Sequence, residues 1–366
     1  MSEYILLGIK TKLDLNVNQK VLMSKHAGIK RFTFNWGLAT WQELYKSGCK
    51  FNYRTIRTFF NKYLKAEYDW IKEKGICQKV TEFAFEDLNA AFGRFFKKQA
   101  SYPKFKKKGK NDSFTINCGG KPMAFGGKSI KLPTIGWVKL HERLPHGTTS
   151  KATISRIADD WYISFTYNQK KPENIRLSKI DAVGIDLGVK TLATLSTGVI
   201  FDNPKYLRSN LKKLGSLQRQ LVRKKYGSSN RNKLKTKLQR MYRRIAFLRK
   251  DLLHKITHYI CKNHAKIVIE DLNVSGMLSN SNLALSISDC GFYEFKRQLE
   301  YKSKKFNCQL IIADRWYASS KICSTCGHKH ETLTLKDRVY ECSNCGLKID
   351  RDLNAALNLA KLAYSI

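Results

Sequence analysis

The sequence predicts an α+β multidomain protein. A small N-terminal β-barrel interrupted by a helical insertion is followed by an α/β domain that carries a four-cysteine ribbon near its end. Three observations predict it: strand-like runs stand on both sides of a long helical block, apolar strands ending in acids alternate with helical stretches in the second half, and Cys323-x-x-Cys326 and Cys342-x-x-Cys345 lie fifteen residues apart. At 366 residues the chain exceeds the ~250–300 at which a single core stops growing, so two or three domains are expected.

Taken in order, Tyr4 to Leu13 is rich in Ile and Leu and reads as a strand. From Val17 to about Gln99 the pattern turns helical, with aromatics interleaved with cations, as in Arg54, Arg57, Phe59, Phe60, Lys62 and Tyr63. Most of these rings belong to a core, and the cations between them suit a phosphate backbone. The basic run Ser101-Tyr102-Pro103-Lys104-Phe105-Lys106-Lys107-Lys108-Gly109-Lys110 breaks the helical pattern. Short strands follow at Ser129 to Leu132 and Trp137 to Leu140. A clearer hairpin spans Thr153 to Tyr167, with its turn expected at Asp159-Asp160 and with Trp161, Ile163, Phe165 and Tyr167 alternating.

From Ile180 the character changes. The run Ala182 to Gly188 reads as a buried strand ending in an acid, Asp186, and Thr191 to Leu195 and Val199 to Phe201 continue it in hairpin succession. Between Lys205 and Lys255 stand eighteen Lys or Arg and one acid, Asp251. Leu234, Leu238, Met241, Ile245, Leu248 and Leu252 alternate at four and three like a coiled-coil seam, and Gly227-Ser228-Ser229-Asn230 turns this helix back from one carrying Leu214, Leu217 and Leu221. The result is a basic helical hairpin over residues 205–260. Ala265 to Glu270 is a further strand ending in an acid, and Gln309 to Ala313 another that leads into the ribbon.

The charge decides the partner class. Lys and Arg number 68 against 29 Asp and Glu, a net charge of +39. Such self-repulsion is best tolerated beside a polyanion, so nucleic acid is expected. The cations assigned to that contact are Lys104, Lys106, Lys107 and Lys108 in the basic loop, with Arg223, Lys224, Lys225, Arg243 and Arg244 in the hairpin. No run approaches a membrane span and no lipidation signal is present, so no membrane partner is expected. The N-terminus shows no signal-peptide pattern, and the six cysteines outside the ribbon read as reduced packing residues, so a cytoplasmic protein is expected.

Two CxxC turns present four soft thiolates to one tetrahedral ion, so Cys323, Cys326, Cys342 and Cys345 are assigned one structural Zn²⁺. Gly327 and Gly346 follow the second cysteine of each pair, where a tight turn needs a positive φ. The acids carry the chemistry. Asp186 and Glu270 end apolar strands and Asp352 opens a helix, an order found in ribonuclease-H-like nucleases, where carboxylates from separate elements hold two Mg²⁺ ions for phosphodiester cleavage.

Gly184-Ile185-Asp186-Leu187-Gly188, Ile269-Glu270-Asp271-Leu272 and the run from Ser319-Ser320-Lys321 through both CxxCG turns to Asp350-Arg351-Asp352-Leu353-Asn354-Ala355-Ala356 resemble the TnpB family of transposon-encoded, RNA-guided DNA endonucleases, relatives of type V CRISPR effectors. Tyr102-Pro103-Lys104-Phe105-Lys106 is similar to the family's basic loop. The resemblance implies a wedge β-barrel over 1–16 and 101–175 with a helical recognition insertion at 17–100. It further implies an RNase H-like RuvC domain over 176–366, containing the hairpin and a zinc ribbon at 316–349. It implies that Asp186, Glu270 and Asp352 are the catalytic metal-binding acids; Asp350 competes for the third role, and Asp352 is preferred because it directly precedes Leu-Asn-Ala-Ala. A guide RNA from the transposon end, a double-stranded DNA target beside a short flanking motif, and a prokaryotic, nucleoid-associated location are also implied. Ala318 stands where family members often carry Pro. Two other readings remain at this level: an RNA-guided DNA-binding regulator without cleavage, and a guide-independent structure-specific nuclease.

Overall fold

The computed structural model describes residues 4–170, 180–331, 333–334 and 337–364. The chain divides into two compact units, Met1–Lys170 and Lys171–Ile366. Among the described residues no helix is long and apolar enough to cross a membrane.

In the first unit, β1 (Tyr4–Asp14) precedes helices α1 (Val17–Lys46), α2 (Tyr53–Phe59), α3 (Lys65–Glu67), α4 (Asp69–Lys72) and α5 (Lys79–Phe96), with a π turn at Phe60–Leu64 between α2 and α3. Strands β2 (Ser113–Asn117), β3 (Met123–Leu132), β4 (Gly136–Thr149), β5 (Lys151–Ile157) and β6 (Asp160–Lys170) follow. They assemble with β1 into one six-stranded antiparallel sheet of order β2-β5-β6-β1-β4-β3. The expected barrel is therefore an open half-barrel, with β2 and β3 as its edges.

Helix α1 starts where Asn16 and Gln19 cap each other reciprocally, Asn16 Oδ1 accepting from the Gln19 amide at 2.8 Å. Phe114, Ile116, Ile130, Val138, Ile154 and Ile163 from the sheet and Met23, Ile29, Phe60, Val80 and Phe85 from the helices form one buried cluster. Burying each such side chain is worth roughly 1.5–3 kcal/mol. His26, fully buried among them, donates Nδ1–H to the Leu22 carbonyl (2.7 Å), accepts the Cys77 amide at Nε2 (2.9 Å) and stacks on Phe114. Burial holds its pKa below the ordinary value.

The hairpin expected to turn at Asp159-Asp160 turns one residue earlier. Ile157 pairs with Asp160, leaving Ala158 and Asp159 as the loop, with Ala158 at φ 58°. Cys77, Cys261 and Cys290 are buried as packing residues, whereas Cys49 is exposed.

In the second unit, β7 (Ile180–Asp186), β8 (Thr191–Leu195) and β9 (Ile200–Asp202) form an antiparallel succession. Helices α6 (Tyr206–Val222) and α7 (Ser229–Asn263) follow, then β10 (His264–Glu270), α8 (Val274–Ser279), α9 (Ser281–Cys290), α10 (Phe292–Phe306) and β11 (Gln309–Ala313). The order in the sheet is β11-β10-β7-β8-β9, with β10 parallel to both β7 and β11. After β11 come the short strands β12 (Val339–Glu341) and β13 (Lys348–Asp350), which pair with each other, and then α11 (Arg351–Lys361).

The sheet has two apolar sides. Val183, Ile185, Leu192 and Ile267 share a cluster with Leu253, Ile256 and Ile260 of α7 and Phe295 and Leu299 of α10. Val268, Ile311 and Ala313 pack with Leu359 of α11. Gly184 makes the second arrangement possible: a Cβ there would overlap the Ala356 carbonyl and the Ala360 amide, so α11 rests directly on the β7 backbone.

The seam expected on α7 is interrupted. Ile245 is buried but Leu248 is 37% exposed, and beyond it the buried positions are Leu253, Ile256, Thr257, Ile260 and Cys261. A helix of 3.6 residues per turn drifts off a 3.5-residue seam, and α7 turns its apolar face to the sheet once α6 is left behind.

Candidate functional site

Asp186 and Glu270 are brought together by strand register. β7 and β10 are parallel neighbours with Ile185 opposite Ile269, so the next residues, the two acids, end adjacent strands at the same edge. The third acid arrives on α11. Asp350 caps that helix: its Oδ1 accepts the backbone amides of Asp352 (2.9 Å) and Leu353 (3.0 Å). Asp352 stands in the first turn, half-buried, with its carboxylate 3.5 Å from Arg351.

Asp186 records this company. Its pKa is pushed from 3.8 up to about 8, first by burial, then by Glu270 and Asp352 and finally by Asp350, with Arg351 alone opposing. Half-buried carboxylates that repel one another are hard oxygen donors, which is the donor chemistry of a Mg²⁺ site. Ser319 donates its hydroxyl to Glu270 Oε1 and so fixes that carboxylate from the side.

Among the described residues only the four cysteines bring ligand atoms within 4.8 Å of one another; the three acids are set more widely. Cys323 Sγ lies 3.6 Å from Cys345 Sγ, and Cys326 Sγ 3.5 Å from Cys342 Sγ. The edge of a tetrahedron built on 2.3 Å Zn–S bonds is about 3.8 Å, so the thiols already have zinc-sized spacing. Left to themselves they cannot all ionise. Hydrogen bonds from the Asn344 side chain and the His328 backbone hold Cys326 down to about 6. Cys345, although the Leu347 amide favours its thiolate, is pushed up to about 12 by desolvation and its thiol neighbours. A bound dication removes that conflict by stabilising every thiolate at once.

Two asparagines that sequence reasoning passed over tie the cysteine turns to α11. Asn354 donates to the Ile322 carbonyl (2.7 Å) and accepts the Ser324 amide (2.9 Å), and Asn358 donates to the Ser319 (2.8 Å) and Ile322 (2.6 Å) carbonyls. Both are buried. Two amides four residues apart on the inward face of a helix were the available signal. Also missed was Asp271, which pairs with Lys296 (2.9 Å) and Arg315 (2.6 Å).

The predicted nucleic-acid cations are placed unequally. Lys104, Lys107 and Lys108 are exposed, as are Arg223, Lys224, Lys225 and Arg244, while Arg243 is half-buried. Lys106 is engaged with protein: its ammonium sits 3.9 Å over the Phe34 ring and 3.8 Å from Asp87, and burial beside Lys30 brings its pKa down to about 8.

Compared with known proteins, residues 164–281 match a family described as "Probable transposase", and residues 292–359 one described as "Cas12f1-like, TNB domain". Over 98% of its length the chain is 35% identical to "Putative RNA-guided DNA endonuclease InsQ" of Escherichia coli, covering 92% of that protein. The chain belongs to the TnpB family. A "Putative RNA-guided DNA endonuclease" of Streptomyces pristinaespiralis is 36% identical over 75% of this TnpB-family chain and 69% of its own length. In fold the chain is similar to the protein in the "Cryo-EM structure of the Cas12f1-sgRNA-target DNA complex", at a TM-score of 0.62 and 12% identity, covering 98% of this chain and 99% of that one. Residues 1–50 match a family described as "Helix-turn-helix domain". In this TnpB-family chain the described part of that stretch folds as strand β1 followed by the continuous helix α1.

Proposed function

We propose that this protein is a transposon-encoded, RNA-guided DNA endonuclease that cuts double-stranded target DNA next to a short flanking motif. The observation that carries the reading is the convergence of Asp186, Glu270 and Asp352 from β7, β10 and α11, with two of them raising the pKa of the third. When bound there, two Mg²⁺ ions would supply a nucleophilic water and stabilise the leaving oxygen. The chain's own part is to hold three carboxylates on rigid elements, with Ser319 orienting Glu270 and the Asp350 cap fixing the start of α11. Support comes from the relatives named as RNA-guided DNA endonucleases and from a net charge of +39.

In this reading residues 1–16 and 101–175 are a wedge barrel, 17–100 a recognition insertion, and 176–366 a RuvC domain with the basic hairpin at 205–260. The zinc ribbon spans 316–349, with one Zn²⁺ on Cys323, Cys326, Cys342 and Cys345. A guide RNA from the transposon end reads sequence by base pairing, while the protein reads heteroduplex shape and the flanking motif. Such a protein works in a prokaryotic cytoplasm, on the nucleoid.

The test is cleavage of a plasmid matched to the RNA that copurifies with the chain. Cutting is expected with Mg²⁺, to stop with EDTA, and to be lost in Asp186→Ala. RNA-free protein that cuts as well would overturn the guided reading, and guided binding without cutting would leave only the regulator.

A further inference from the structure

We infer that Trp316, together with Tyr293, forms a stacking platform that positions an unpaired strand of nucleic acid at the carboxylate site; this rests on the nuclease reading above. Tryptophan is among the residues most costly to leave in water, yet Trp316 is 86% exposed. Its exposure does not come from an untethered loop. On one side, Arg315 pairs with Asp271 at 2.6 Å and the Trp316 amide bonds Asp314 Oδ1 at 2.8 Å. On the other, Ser319 bonds Glu270 itself. The indole is thus carried on a segment anchored at both ends to the terminus of β10, where a catalytic acid stands.

Arg315, the residue before it in the chain, lines a groove of about 380 Å³ together with Glu270, Tyr293, Lys296, Arg297 and Glu300. Tyr293, on the first turn of α10, is 70% exposed. Three cations and an exposed ring share a wall with one of the three acids; Lys296 and Arg315 share Asp271 as their partner and Arg297 pairs with Glu294, so a phosphate would compete with these carboxylates. Rings take the π-faces of bases and cations take phosphates, the combination by which proteins hold single strands without regard to sequence. A duplex hides its base faces in its own stack, so these rings favour a strand that has been unpaired. Trp316 is here a positioning residue: it touches the substrate's bases and not the scissile phosphate.

The test uses the full-length chain carrying Asp186→Asn, so that cutting does not consume the probe, and a short single-stranded DNA containing 2-aminopurine. Binding is expected to quench the probe. Adding Trp316→Ala should abolish the quenching and weaken binding about tenfold, the loss of one stacked base. Trp316→Phe should keep most of both. The salt dependence should not change, because no charge is removed. In guide-loaded protein with an intact Asp186, Trp316→Ala should slow cleavage of a matched duplex, and a pre-opened bubble at the cut site should restore part of the rate. Unchanged quenching in Trp316→Ala would overturn the inference, and so would a drop in oligomeric mass, which would make the indole a contact between copies. If guide-loaded wild type fails to cut at all, the nuclease reading falls, while the quenching assay still decides whether Trp316 stacks on a base.

Discussion

Asp350 and Asp352 are two residues apart and do different things. Asp350 spends its Oδ1 on two backbone amides as the cap of α11 and bears less on Asp186 than the Asp352 carboxylate does. Asparagine caps helices about as well as aspartate, so Asp350→Asn should keep both stability and cleavage, and Asp350→Ala should cost about 1 kcal/mol in a urea melt. If Asp352 is the third metal ligand as proposed, Asp352→Asn should leave the melt unchanged and lower the cleavage rate on the order of a hundredfold or more, since it would remove an oxygen ligand worth several kcal/mol to the transition state. The opposite pattern would move the third ligand to Asp350. The sequence left both residues in play because a cap and a ligand are the same residue type at almost the same place; only the hydrogen bonds to the helix start separate them.

Asp186 gives a prediction in pH. Its folded pKa, about 8, lies above its ordinary 3.8, so the native state favours the protonated acid. The stability this contributes is fully present below about pH 4 and is lost as pH rises through about 8. Metal-free wild type should therefore lose stability relative to Asp186→Asn across that window, read as diverging melting temperatures. Added Mg²⁺ should close the gap, because a cation reverses the preference for the neutral acid. Parallel curves in the two proteins would show that Asp186 is not held this way.

At the scale of elements, what was legible followed burial. β8 and β11 fall on the predicted residues, Thr191–Leu195 and Gln309–Ala313: β8 is a short buried strand that reads as a nearly continuous apolar run, and β11, an edge strand with Ile312 exposed, is still apolar from Leu310 to Ala313. β3 and β4 run well beyond the four residues expected of each, to Met123–Leu132 and Gly136–Thr149. Gly126, Gly127, Pro145 and Gly147 read as breakers, but here they lie within a long hairpin. Gly127 stands at a bulge with φ 55°, and the stretch of β4 holding Pro145 is bonded along β3 and not β1. Gly184 carried its meaning only in the structure, where α11 lies on it. Because the obstacle to a side chain there is backbone, Gly184→Ala should cost about 1–3 kcal/mol or more in chemical denaturation. Cleavage should fall further than stability, since lifting α11 carries Asp352 away from Asp186. A variant that melts and cuts like wild type would mean that α11 does not set the acid spacing.

Across the whole molecule the sequence reported composition faithfully and long-range pairing poorly. β1 finds β6 across more than a hundred intervening residues, Tyr4 opposite Lys170, and no local pattern encodes that closure or the open edge that makes the sheet a half-barrel. The charge needed no fold to be read. Its distribution did: Lys106 is turned against Phe34 and Asp87, while Arg223, Lys224 and Lys225 stand in water where α6 ends and the chain turns to α7. Each cation that neutralises a duplex phosphate releases counterions and contributes about 0.9 to the slope of log K against log salt. Replacing Arg223, Lys224 and Lys225 with Gln should therefore flatten that slope by about 2.7 for a DNA duplex if all three touch phosphate. Lys106→Gln should leave the slope almost unchanged and instead lower stability, because its ammonium is committed to protein. Measured by titrating guide-loaded protein into labelled duplex at several salt concentrations, an equal flattening in the two variants would mean that the loop lysine reaches the duplex after all. No flattening in the triple variant would take the hairpin tip out of the duplex interface.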